Sequence, residues 1–148
     1  MQLAMFSDYA LRVLMHLAAS PDRLLSTRQL SEIHDAKFHH LAKVTAWLVN
    51  EGFAVSNRGR GGGLRLAKNP HEINVGAVLW KLEKDKPLVE CLGDDGGSCC
   101  LTPACGLTTA LQAAENAFFD CLRALTVADI IETRPGMSRL LASLNDSV

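Results

Sequence analysis

At 148 residues and 48% hydrophobic content, the chain is long enough for one well-packed domain with a modest extension and too short for two large cores. It has no apolar run of bilayer-spanning length, and its start, Met1-Gln2-Leu3-Ala4, lacks the basic stretch and cleavage site of a signal peptide, so a cytoplasmic protein with no membrane partner is expected. The formal net charge of -1 conceals a polarity: residues 1–70 carry nine Lys/Arg against five Asp/Glu (+4), and the remainder carries six against eleven (-5). A basic front half is what phosphate contact needs.

In chain order, Leu3, Phe6, Ala10, Val13, Leu14 and Leu17 recur at helical spacing and predict an amphipathic helix ending before Pro21. Ser26 and Gln29 form a capping box, with Leu25 and Leu30 as its hydrophobic staple, so a second helix should run to about His34. After a break at Asp35 to Lys37, a third helix is predicted from Phe38 to Asn50, with Leu41, Val44 and Leu48 inward and Gly52 as its stop. Two helices joined by so short a turn make a helix-turn-helix.

Phe53-Ala54-Val55 and Leu64-Arg65-Leu66 have strand character, and the segment between them is glycine-rich with Arg58 and Arg60. This predicts a β-hairpin whose glycines let the backbone approach a sugar-phosphate wall and whose arginines supply charge for phosphate or a narrow minor groove. A nucleotide-binding P-loop is excluded, because no Gly-Lys-Ser/Thr is present and a strand follows in place of a helix. The fold class expected is therefore mainly α with a small β-hairpin wing. In such a winged helix the third helix enters the major groove with its N-terminal half leading, which makes His39, His40 and Lys43 the candidate contacts, with Arg28 reaching the backbone. A plain solvated helix start competes for the two histidines, and a basic hairpin with no partner competes for the wing.

Asn74 can cap a fourth helix carrying Val75, Val78, Leu79 and Leu82, expected to pack against the wing. Lys84 to Leu101 shows no apolar periodicity, and a loop of this length in a small domain needs an organiser, which a metal or cluster can supply. All five cysteines lie in this second half: Cys91, Cys99, Cys100, Cys105 and Cys121. In a reducing cytosol such an odd-numbered set points to metal binding or redox sensing more than to disulfides. The spacing Cys91-x7-Cys99-x5-Cys105 matches neither the paired Cys-x2-Cys of zinc ribbons nor the bacterial ferredoxin run. Thr102-Pro103 reads as an N-cap and first-turn pair, placing Cys105 in the first turn of the next helix, where the macrodipole favours its thiolate.

Leu107, Leu111, Ala114, Phe118, Cys121 and Leu125 form a heptad seam, which most simply meets its own copy in a homodimer. Cys121 on that stripe is expected to be a buried small hydrophobe. Thr126 and Asp129 start a short final helix, and the tail from Thr133 has no assignment. The expected units are a DNA-binding domain (1–83), a cluster-binding loop (84–105), a dimerisation helix with its short successor (102–132) and a tail (133–148). No nucleophile-base arrangement is evident, and His16, His34, His39, His40 and His71 show no metalloprotease spacing, so an enzyme is not expected.

Phe6-Ser7-Asp8-Tyr9-Ala10-Leu11-Arg12, the wing Arg58 to Leu66, and Cys99-Cys100-Leu101-Thr102-Pro103-Ala104-Cys105 together resemble the iron-sulfur winged-helix repressors that include NsrR, IscR and RirA, over residues 1 to about 132. The resemblance implies a homodimer on palindromic double-stranded operator DNA and a cluster, [4Fe-4S] with [2Fe-2S] as the alternative, bound by Cys91, Cys99 and Cys105. IscR-like members place a histidine shortly after the last cysteine, where this chain has Thr108. NsrR-like members instead use an aspartate of the first helix on the partner's cluster, which Asp8 of the partner subunit matches; its competing role is a surface pair with Arg12. The implied signal is nitric oxide, with an iron or redox signal, or a zinc-stabilised protein without sensing chemistry, as alternatives. Lys37 and Phe38 depart from the serine and polar residue common at the start of the recognition helix. The long Cys91–Cys99 interval resembles RirA, and Cys100 beside Cys99 is a competing ligand.

Overall fold

The computed structural model describes residues 2–59, 61–134 and 136–148, so Arg60, expected at the wing tip, lies outside the described residues. In chain order the elements are α1 (Met5–Ala19), α2 (Thr27–Ile33), α3 (Phe38–Asn50), β1 (Ala54–Asn57), β2 (Gly63–Leu66), α4 (Val75–Glu83), α5 (Gly106–Arg123), α6 (Val127–Glu132) and α7 (Met137–Asp146). Short 3-10 turns lie at Pro70–Glu72, Glu90–Leu92 and Thr102–Ala104. The mainly helical fold with its two-stranded wing is the one the sequence predicts.

α1 is the central strut. Its inward positions Ala10, Val13, Leu14 and Leu17 are at most 1% exposed, and it packs on α3, α4, α6, α7 and β2. The capping box forms as expected, the Ser26 hydroxyl accepting from the Gln29 N–H and the Gln29 side chain accepting from the Ser26 N–H. The turn between α2 and α3 passes through Asp35 at φ 46°, a left-handed conformation that a short polar side chain tolerates. α3 ends as predicted: Gly52, at φ 72°, lets the Phe53 N–H reach back to the Leu48 carbonyl at 2.9 Å and close the last turn.

β1 and β2 are antiparallel, with Ala54 opposite Leu66 and Asn57 opposite Gly63. Leu25 adds a bridge to Leu64, fastening the wing to the residue just before the N-cap of α2. A Cβ on Gly63 would lie 2.9 Å from the Leu25 carbonyl carbon, so the approach requires glycine.

The expected contact between α4 and the wing is corrected: α4 packs chiefly on α5 and α1, because Trp80 meets Phe119 edge-on and the start of α4 is locked to the end of α5. Asn74 makes that lock, accepting from the Ala77 N–H (2.9 Å) and donating to the Arg123 carbonyl (2.6 Å), so one amide caps two helices. Gly76 permits the approach, since a Cβ there would sit 2.5 Å from the Arg123 backbone nitrogen. Gly76→Ala is expected to lower stability by about 1–3 kcal/mol, the strain of overpacking exceeding the ~1 kcal/mol helix-propensity gain. Urea unfolding measures it, and a variant as stable as the parent would show that α5 yields freely.

The tail that the sequence left unassigned forms α7, which docks on α1, α2 and α6. Leu141 is buried, and the fully buried Asn145 bonds to His16 Nδ1 (2.6 Å), the His16 carbonyl (3.1 Å) and the Ser20 hydroxyl (2.9 Å). The His16 ring packs edge-on against His34 at 4.9 Å. Burial first, then the charges of His16 and Arg12, push His34 down to about 4, with Asp8 opposing; burial lowers His16 too, against its bond to Asn145. Both rings are thus less basic folded than unfolded, so stability is intact above the unfolded value of 6.5 and declines as pH falls toward 4. Denaturation midpoints at pH 7.5 and 5 test this: the drop should shrink in His34→Gln, and an equal drop in both would place the acid sensitivity elsewhere.

Candidate nucleic-acid interface and cysteine loop

α2 and α3 meet across the Asp35 turn. Arg28 on α2, His39, His40 and Lys43 on α3, and Arg58 beyond β1 are all exposed. The His39 and His40 rings stack edge-to-face at 4.2 Å. Partial desolvation, then the neighbouring His40, Lys37 and Lys43, hold His39 below the usual histidine value.

Residues 84–105 leave α4 and return to α5, and the loop has an organiser of its own. The Glu90 carboxylate accepts from the Ser98 backbone N–H and hydroxyl, each at 3.0 Å. Gly97 makes this possible: at φ 63° it passes so close that a Cβ would lie 2.7 Å from Glu90 Cγ. Since Cys91 follows Glu90 and Cys99 follows Ser98, the clasp draws their backbones together.

Cys105, predicted inside the first turn, is instead the N-cap residue of α5, because a separate 3-10 turn takes up Thr102–Ala104. Thr102 caps nothing; its hydroxyl is buried without a hydrogen-bond partner. The physical argument for Cys105 holds at the new position: hydrogen bonds from the Thr108 hydroxyl and the Thr108 and Leu107 N–H groups pull its thiol below the usual range. Cys91 Sγ lies 3.5 Å from the same Thr108 hydroxyl. Cys91 and Cys105 thus share Thr108 as a neighbour.

The other candidates stand apart. Cys99 and Cys100 are exposed, and among the described residues no three His, Cys, Asp or Glu side chains converge in metal-ligand fashion. Asp8 is held by Arg12 through two bonds, Nη2 to Oδ2 at 2.8 Å and Nε to Oδ1 at 3.0 Å, with both side chains nearly half exposed. Cys121, expected to be buried, is exposed in the single chain, along with Ala114 and Leu107 (64%). α5 spends its opposite face on α4, through the buried Phe119, and leaves much of the seam uncovered. Leu125, counted on that seam, falls after the end of α5.

Sequence reasoning missed Glu83, the last residue of α4. α1 has no side-chain cap of its own, and Glu83 supplies one from afar, accepting from the Ala4 N–H (3.1 Å) and from the buried Ser7 hydroxyl, while pairing with Lys86 (3.2 Å). Burial favours protonation, but these partners outweigh it and keep the carboxyl below its ordinary value. The root of the cysteine loop is therefore tied to the first turn of α1, the turn that carries Asp8. A glutamate closing an amphipathic helix gives no sequence signal that separates such a cap from a solvated end.

Residues 3–133 match the Rrf2 family, described as iron-dependent transcriptional regulators. The chain is 39% identical over 142 residues to the HTH-type transcriptional regulator NsrR of Halalkalibacterium halodurans, covering 95% of this chain and 97% of that one. It is 37% identical over 142 residues to NsrR of Bacillus subtilis, again 95% and 97%. In structure it is similar to the global cysteine regulator CymR of B. subtilis (TM-score 0.67, 21% identity, 90% of this chain and 98% of that one) and to IscR of T. potens (TM-score 0.68, 20% identity, 90% and 88%). Among the described residues no helix is long and apolar enough to cross a membrane. The chain belongs to the Rrf2 family and is a winged-helix transcriptional regulator, not an enzyme.

Proposed function

We propose that this regulator is a cytoplasmic homodimer that represses transcription from palindromic operator DNA, its affinity set by an iron-sulfur cluster and its signal nitric oxide. Residues 1–83 bind DNA, with Arg28, His39, His40, Lys43, Arg58 and Arg60 as contacts; residues 84–105 hold the cluster, [4Fe-4S] or alternatively [2Fe-2S]; and residues 102–132 form the dimer arm. Cys91, Cys99, Cys105 and Asp8 of the partner subunit are the proposed ligands. The carrying observation is the shared Thr108 contact, which unites Cys91 with a Cys105 already biased toward thiolate, the form that binds iron. The family's description as iron-dependent supports the choice of metal. When bound, the cluster supplies iron open to attack by nitric oxide.

The chain's own residues provide the coupling. Asp8 has two partners available: a metal across the dimer, or Arg12 one turn along its own helix. An exposed pair of this kind is worth only about 0.3–0.5 kcal/mol, so Arg12 does not withhold Asp8 from a ligand role and recaptures it on release. Glu83 ties the same turn of α1 to the loop root, so a shift of the loop is felt by the helix on which the helix-turn-helix packs.

The test is anaerobic purification with iron, sulfide and zinc analysis, then visible spectra and operator binding during nitric oxide titration, for the parent and for Asp8→Ala. A brown, sulfide-containing dimer that bleaches and releases DNA supports the reading, and an unchanged nitric oxide response in Asp8→Ala removes Asp8 from the coupling. Colourless zinc protein overturns the cluster, and a cluster indifferent to nitric oxide but lost at low iron moves the signal to iron.

A further inference from the structure

The first residue of α3 departs from everything around it. Phe38 is 51% exposed, although full burial of such a ring is worth about 1.5–3 kcal/mol. The Arg28 guanidinium lies 5.7 Å from its ring centroid, within cation–π range, and holds the ring from the α2 side. Lys37 precedes it and His39, His40 and Lys43 follow it, so a bare aromatic ring sits among basic side chains with no acid in the first two turns of α3. An apolar protein partner gains nothing from that cationic collar. The major groove of duplex DNA matches both parts: phosphates along the rim, and on the floor the 5-methyl group of thymine, which aromatic and aliphatic side chains read by contact.

We infer that Phe38 is a specificity-determining residue that reads a thymine 5-methyl group in the major groove, with Arg28 bracing the ring and reaching the flanking phosphate. The inference rests on the DNA-binding role proposed for α3 and adds the base that this chain selects there. It differs from the expected contacts of the neighbouring histidines and lysine, which work through hydrogen bonds and charge. A thymine preference at one position in each half-site follows.

The experiment is selection from a random duplex pool by the intact protein, in iron-loaded and metal-stripped forms, for the parent, Phe38→Ala and Phe38→Leu. Each thymine of the winning duplex is then replaced by deoxyuracil, which deletes only the methyl. For the parent, one thymine per half-site should weaken binding about fourfold on replacement, the weight of one buried methyl group. Phe38→Ala should bind the thymine and uracil duplexes equally, and Phe38→Leu should keep part of the difference. Parent protein indifferent to every replacement, or Phe38→Ala as sensitive as the parent, overturns the inference while leaving DNA binding intact. A Phe38→Ala variant that instead changes the dimer mass in sedimentation assigns the ring to a contact between copies and also overturns it. Failure of both forms of the parent to enrich any duplex defeats the DNA-binding reading itself and the inference with it.

Discussion

Cys105→Ser is expected to lose iron and sulfide on anaerobic purification while its metal-free form melts at or above the temperature of the metal-free parent. The two readouts should diverge because position 105 does two jobs. As a proposed ligand it needs a thiolate, and a serine hydroxyl does not ionise near neutral pH, so affinity should fall at least as much as the roughly ten- to hundredfold typical of losing an outer-sphere partner. As the N-cap of an 18-residue helix it faces the Leu107 and Thr108 N–H groups, and serine is among the best residues there, with a preference over apolar residues of about 0.5–2 kcal/mol. Cys100→Ser and Cys121→Ser should keep both iron and sulfide. Iron and sulfide retained in Cys105→Ser, or lost in Cys121→Ser, would show the ligand set to be misassigned.

Leu14→Ala should cost about 3–5 kcal/mol, the upper range for deleting a buried leucine. Leu14 is 0% exposed on the strut that α3, α4, α6 and α7 all contact, so little can collapse into the space. Against a total stability of about 5–15 kcal/mol for a domain, this is about a fifth of the fold or more, and urea midpoints would register it plainly. Leu107→Ala provides the contrast. Being 64% exposed in the single chain, it should change protomer stability by no more than about 0.5 kcal/mol, and a larger loss that grows on dilution would reveal its burial between two copies. A cost below about 1 kcal/mol for Leu14→Ala would contradict the packing around α1.

What the sequence made legible were the features written in local chemistry. The capping boxes at Ser26 and Thr126, the Asn74 cap, the Gly52 stop and the bounds of α3 all depend on residues within one or two turns, and each stands where the spacing put it. What escaped depends on distant partners. α7 is amphipathic, but its docking is decided by Asn145 meeting His16 across 129 positions. Glu83 reaches Ala4 across 79, and the placement of Cys105 is set by a 3-10 turn that Thr102 was expected to open as a helix cap. At the cysteine loop, the residue types pointed to metal chemistry, yet the clasp that folds the loop is a glutamate, Glu90, whose neighbours in sequence gave no reason to single it out. Cys121 is exposed in the single chain, since a heptad says which side chains share a face and not what covers it.

The two tryptophans divide the molecule between them. Trp47, on α3, sits edge-on to Phe6 and beside Phe53, at the joint of α1, α3 and the wing. Trp80, on α4, touches Phe119 and lies under the Arg123 guanidinium at 5.4 Å, at the elbow between α4 and α5. Intrinsic fluorescence therefore reports two places at once, and a Trp80→Phe protein isolates α3 while Trp47→Phe isolates the elbow. In the proposed reading, stopped-flow traces of the two proteins time the arrival of a signal from the cysteine loop at each place.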